Sequence, residues 1–152
     1  MPVSSFRFRL ERVRVVRERR EKLAKQQLAH AMSRRASTQD DLRVTDARLE
    51  HARAEQRTAA AQPETVSATD LLARQAFLEH IEAQRGMHAQ ELQRREAEVL
   101  DRDAKLATAA TEHEMLKRLS ERQRGEHDRE AARRERNTLD EIATARFGRS
   151  SA

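Results

Sequence analysis

Apolar residues recur every seven positions along the second half of the chain. Leu71, Leu78, Leu92, Val99 and Leu106 share one ladder, with Arg85 and His113 as its polar rungs. Ile81, His88, Ala109 and Leu116 fill much of the companion position. That repeat predicts a long α-helix whose narrow seam packs on another helix. The first half carries a weaker seam through Leu10, Val13, Val16, Leu23, Leu28, Met32, Leu42, Leu49 and Ala52. Its spacing slips near Leu23–Leu28, as a stutter does. Smaller residues there predict close approach but little buried area.

One clear interruption separates the two patterns, Gln62-Pro63-Glu64-Thr65-Val66-Ser67-Ala68-Thr69-Asp70. Pro63 disfavours helix at the residue before it. Thr69 offers an N-cap oxygen, and Asp70 suits the positive end of a helix. The reading is all-α: a single two-helix antiparallel coiled-coil hairpin, with helix one over about 6–61, the turn over about 62–69 and helix two over about 70–146. A short connection makes long helices antiparallel neighbours. With the turn near residue 65, residue i faces roughly residue 130 − i, an offset good to a few positions. Helix two then outruns helix one from Glu121 to about Arg146. Arg122/Glu126 and Glu130/Arg134 are i,i+4 pairs in that overhang. Gly125 weakens its base. Leu139, Ile142, Ala143 and Phe147 form an apolar stripe with no helix-one partner. The stripe reads either as a partner surface or as a frayed amphipathic tail.

Composition supports long helices over a thick core. Charged residues make up 38% of the 152 residues and aromatics 3%. The common residues are strong helix formers, although such a composition leaves disorder open at both ends. There is no cysteine, so no disulfide scaffold or thiolate metal site is expected. The N-terminus lacks an apolar signal region, and no stretch approaches a membrane span, so a soluble protein with at most peripheral membrane association is expected. The net charge of +5 is uneven. Residues 1–25 hold nine basic and three acidic groups, residues 26–116 twelve and sixteen, and residues 117–136 eight and five. The basic excess therefore sits near both termini.

Catalytic chemistry is not legible. The glycines, Gly86, Gly125 and Gly148, are too far apart for a phosphate-binding loop. The six histidines make no tight zinc pattern. His88 and His113 fall on the seam, where a register-setting role is expected. Two helices enclose no pocket for shifting a carboxylate pKa. No enzyme activity, cofactor, metal or small-molecule substrate is expected. The basic run from Arg7 to Lys25 could draw phosphates, but Glu11, Glu18 and Glu21 interleave with it and only Phe6 and Phe8 offer stacking. An acidic protein surface is the favoured partner over nucleic acid or a bilayer.

Two stretches resemble a known family. Phe6-Arg-Phe-Arg-Leu10-Glu11-Arg12-Val13, with the following Arg/Glu run and Leu28-Ala29, is similar to the opening of the flagellar export protein FliJ family. Leu116-Lys-Arg-Leu119-Ser-Glu121-Arg122, the Arg/Glu helix and Leu139-Asp140-Glu141-Ile142-Ala143 resemble its ending. The resemblance implies a hairpin like the central stalk of rotary ATPases, acting as a non-catalytic adaptor at the cytoplasmic face of the inner membrane. It implies that the end bearing both termini enters the ring of the export ATPase FliI. That places Arg7, Arg9, Arg12, Arg122, Arg129, Arg133, Leu139 and Ile142 at the ring. It implies a contact with the export-gate protein FlhA through Phe77, Ile81, Gln84 and His88, and binding of export chaperones. Phe77 lies off the main ladder and either points outward or widens the seam. The family's helix-one half of the gate patch has no match, because the chain holds no tyrosine. The residues leave open a virulence-system stalk with the same mechanism, a dimeric scaffold, and a nucleic-acid contact through the basic end.

Overall fold

The computed structural model describes residues 6–62 and 66–150, with side chains described through Phe147. Two helices account for nearly all of it, α1 (Glu11–Ala60) and α2 (Ala68–Ser150). They pack against each other as an all-α hairpin. Among the described residues no helix is long and apolar enough to cross a membrane. Pro63, Glu64 and Thr65, at the centre of the expected turn, lie outside the described residues.

The helix ends differ from expectation in ways the local chemistry explains. Phe6–Leu10 were expected to be helical, but α1 begins at Glu11, whose N–H donates to the Phe8 carbonyl at 3.2 Å. A helix continued backwards would set Phe8 beside the seam, in the heptad position of Val15. Leaving the helix lets Phe8 be buried instead, at 6% exposure. An acidic first residue also suits the helix dipole. The cap of α2 is Ser67, not Thr69. The Asp70 N–H donates to Ser67 Oγ at 3.1 Å, and Asp70 Oδ2 accepts from the Ser67 N–H at 3.3 Å and its hydroxyl at 2.7 Å. This is a reciprocal capping box, with the acid three residues after the cap. The Ser67 bonds hold the Asp70 carboxyl below its ordinary pKa. Thr69 already lies inside the first turn. At its far end α2 continues to Ser150, past the expected Arg146.

The chain divides into two compact units. The loop unit, residues 23–106, holds the apolar core: Leu49, Ala52, Leu78 and Ile81. Ile81 is the largest fully buried side chain, at 1% exposure. The expected pairing between helices holds within this unit. Position 34 was expected opposite about 96 and position 46 opposite about 84. Arg34 pairs with Glu98, Arg85 with Asp46, Arg53 with Glu82 at 2.9 Å and Arg35 with Glu96 at 3.5 Å. Arg102 also donates to Gln27 at 3.0 Å. Glu98 shows how such a pair is balanced. Burial disfavours its charge, yet the Arg34 hydrogen bond and charge, with Arg95 beside it, hold its carboxyl below the ordinary value.

On the α2 ladder Leu78 is buried and Leu92, Val99, Leu106 and His113 are half-buried, while Arg85 is exposed and Leu71 is 41% exposed and outside the core. The α1 seam was read correctly at Leu28, Leu42, Leu49 and Ala52 and misplaced elsewhere. Val13, Val16, Leu23 and Met32 are 42–55% exposed. Together with Leu28, Leu42, Leu49 and Ala52, the sheltered positions of the stripe are Ala24, Ala31, Arg35, Thr38, Thr45, Gln56 and Ala59. They alternate steps of four and three without a break, so the heptad runs straight through the supposed stutter. Small and polar residues occupy most of its rungs. Thr45 is buried because its hydroxyl returns to the Asp41 carbonyl at 2.9 Å.

Candidate functional site

The terminal unit, residues 1–22 and 107–152, sets the start of α1 and the segment before it against the last part of α2. Its seam is polar where the loop unit's is apolar. Arg17 pairs with Glu112, and His113 Nδ1 lies 2.7 Å from Glu21 Oε2. The His113 Nε2 atom is buried without a hydrogen-bond partner among the described residues. Beside this belt, Glu11 binds Arg14 at 2.6 Å and Glu18 binds Lys22 at 2.9 Å. Each carboxyl is held below its ordinary pKa, Glu11 by the Arg14 hydrogen bond and Glu18 by the Lys22 hydrogen bond.

These pairs sort the basic run. Glu11, Glu18 and Glu21, which interleave with the arginines in sequence, are all engaged with Arg14, Lys22 and His113. Arg7, Arg9 and Arg12 are exposed and have no ion-pair partner among the described residues. They border a cleft of about 820 Å³, whose wall on the second helix is Ser120 and Arg124. Phe8 is buried beneath that segment, and the Phe6 ring sits 5.7 Å from the His127 ring at a tilt of 53°. The two phenylalanines thus anchor a non-helical strap across α2.

Beyond this strap no other described residue packs on α2. Arg122 meets Glu126 at 3.0 Å and Arg134 meets Glu130 at 3.2 Å, the two pairs expected from spacing. Residues 132–147 are exposed throughout. Leu139 and Ile142 stand 59% and 47% exposed on this helix, and Arg122, Arg129 and Arg133 are exposed with them. Six of the eight residues expected at the ATPase ring are thus charged groups on exposed positions, and the other two are uncovered apolar ones.

The four residues expected at the export gate lie in the loop unit at i, i+4, i+7 and i+11 of α2, and one of them, Ile81, is buried. Phe77 is 49% exposed, so it points outward rather than widening the seam. It borders a shallow hollow of about 380 Å³ with Val66, Asp70, Ala73 and Arg74. Gln84 and His88 are half-buried, and Gln84 Nε2 lies 3.1 Å from His80 Nε2. Ile81 must be corrected: it is a core residue packed with Leu49, Ala52 and Leu78, and offers no side-chain surface to a partner. Its heptad step of three from Leu78 carried that information in the sequence. Val66, Ala73 and Arg74 were missed because no single-residue chemistry marks them.

The flagellar FliJ protein family matches the chain over residues 6–152. No curated protein and no solved structure matches it.

Proposed function

The chain belongs to the flagellar FliJ protein family and is a protein of flagellar, type III export, and from that premise we propose that it is the export apparatus's non-catalytic stalk and adaptor. The terminal unit enters the ring of the export ATPase FliI and activates it. Arg7, Arg9, Arg12, Arg122, Arg129 and Arg133 supply charge contacts there, and Leu139 and Ile142 supply apolar ones. The export gate FlhA is met by the loop unit through Phe77 and its neighbours, with Gln84 and His88 at the margin. Export chaperones bind the same adaptor, which works in the cytoplasm at the membrane face of the flagellar base.

One observation supports this reading above the others. In the terminal unit, α2 extends past the start of α1 as a helix that, among the described residues, keeps three large apolar side chains exposed, Leu139, Ile142 and Phe147. A helix polar all round needs no partner, whereas this one withholds Leu139 and Ile142 from any core of its own. Exposed guanidiniums on the same unit favour fast, salt-sensitive association over a permanent bond. Family membership favours the flagellar over the virulence apparatus.

The test is ATP turnover by the cognate export ATPase with the full chain, with Leu139→Asp/Ile142→Asp, and with Phe77→Ala. Stimulation by the full chain, lost in the double variant and retained in Phe77→Ala, is expected. Both altered positions are exposed, so circular dichroism should be unchanged. Equal stimulation by all three would remove the overhang from the ring contact.

A further inference from the structure

The cleft of the terminal unit has a chemistry more specific than general basicity. Arg7 and Arg9 come from the non-helical strap, Arg12 from the first turn of α1 and Arg124 from α2. None of the four has a hydrogen-bonded or charged partner among the described residues. The one carboxylate on the cleft wall, Glu11, is engaged with Arg14 through two hydrogen bonds of 2.6 and 3.0 Å. It therefore does not neutralise the cleft. The strap that carries Arg7 and Arg9 is fixed by Phe8, buried at 6% exposure, and by Phe6 against His127. Four guanidiniums are thus held on one frame, with no carboxylate paired to them among the described residues.

We propose that this cleft is a receptor for a carboxylate-rich, extended peptide segment of a partner protein. The proposal rests on the adaptor reading above and names the chemistry of the surface that the terminal unit receives. Guanidinium forks match carboxylates in bidentate geometry. A volume of about 820 Å³ lies within the range of sites that hold a few residues of ligand. Nucleic acid fits less well, because its affinity for such sites depends on free stacking faces. Here Phe8 is buried and Phe6 already faces His127. A bilayer surface fits less well again. The cleft is walled by Ser120 and Arg124 on one side and by the strap on the other, and a flat headgroup layer cannot enter it, whereas a single extended chain can.

The experiment uses the full chain and a fluorescent hexaglutamate peptide, followed by anisotropy at low ionic strength. Unlabelled tripolyphosphate and a thymidine oligonucleotide serve as competitors. Hexaglutamate is expected to bind and to be released by salt. Arg7→Gln/Arg124→Gln should weaken it about tenfold, the effect of two exposed charge contacts. Arg48→Gln/Arg94→Gln removes the same charge from the loop unit and should change binding by less than about twofold. Phe8→Ala removes no charge but frees the strap, and should also weaken the peptide while helicity is kept. Equal losses from the two arginine pairs would overturn the proposal, since general attraction would then suffice. So would an oligonucleotide or tripolyphosphate that displaces the peptide at lower charge concentration. If Phe8→Ala unfolds the protein, the two arginine pairs still decide. No ATPase is present in this assay, so its outcome is separate from that of the Leu139/Ile142 test of the stalk role.

Discussion

The two units are built from the same two helices but use their facing residues differently. The loop unit buries Ala31, Leu49, Ala52, Ala59, Leu78 and Ile81. Among described residues of the terminal unit, Phe8 is the one buried side chain, and its helices meet through Arg17–Glu112 and Glu21–His113. Apolar burial contributes stability in proportion to area, whereas exposed or half-exposed ion pairs contribute little. The loop unit is therefore where the hairpin gains its cohesion. The terminal unit leaves Leu139 and Ile142 exposed, and Arg7, Arg9, Arg12 and Arg124 without an ion-pair partner among the described residues. Buried apolar area is thus concentrated in one unit and polar helix contacts in the other.

The largest expected effect breaks the loop unit. Ile81→Ala should cost about 3 kcal/mol, the usual range for truncating a fully buried aliphatic side chain, read as a lowered thermal midpoint by circular dichroism. A loss below about 1 kcal/mol would mean the seam is too plastic to count as a core. Next comes the reassigned α1 seam. Ala31 has 0% exposure, so Ala31→Leu should overpack it and cost about 2 kcal/mol. Met32 beside it is 55% exposed, and Met32→Ser should change stability by less than about 0.5 kcal/mol. If the two variants rank the other way, the apolar-count register is right and the one described above is wrong.

That pair of residues shows what the sequence made legible and what it concealed. Helix two could be read because Leu78, Leu92, Val99 and Leu106 hold four rungs of one heptad ladder. Helix one was misread in part because Ala24, Ala31, Thr38 and Thr45 hold rungs while Val16, Leu23 and Met32 face outward. Counting hydrophobic mass finds a seam only where mass is what fills it. Close helix approach selects small residues, and small residues carry no hydropathy signal. The strap was missed for a related reason. Arg7 and Arg9 continue a helix-like basic run, and only the burial of Phe8 pulls the backbone out of it. The cleft needed Ser120 and Arg124 from a segment more than a hundred residues away, which no local pattern supplies. The overhang, by contrast, followed from chain length on each side of one break.

Smaller effects sharpen the comparison at the helix ends. Ser67→Ala removes the cap of α2 and should cost about 1 kcal/mol, in the loop unit alone. Acid should act the same way. Asp70 has its folded pKa below the ordinary 3.8, and Glu98, Glu11 and Glu18 lie below 4.5. A carboxyl whose folded pKa is depressed adds stability above its unfolded value and loses it as pH falls through the folded one. Thermal stability should therefore be flat near neutrality and decline as pH drops below about 4. Ser67→Ala should shrink that decline, because the Asp70 share depends on Ser67. An unchanged acid slope would show that the capping box does not hold in solution.

The smallest expected effect lies in the terminal unit and runs the other way. Gly125 is helical, and a Cβ built on it meets nothing within 4 Å. Gly125→Ala should therefore gain about 0.5–1 kcal/mol of local helix stability, because alanine has less backbone freedom to lose and no neighbour to displace. Hydrogen exchange at amides 122–128 should slow, while the global melt, set by the loop unit, should hardly move. That separation is the sharpest form of the contrast between the units. A global midpoint that rises as much as the local exchange slows would mean that the terminal unit unfolds together with the rest. The polar seam of Arg17, Glu21, Glu112 and His113 would then be holding the hairpin as firmly as Ile81 does.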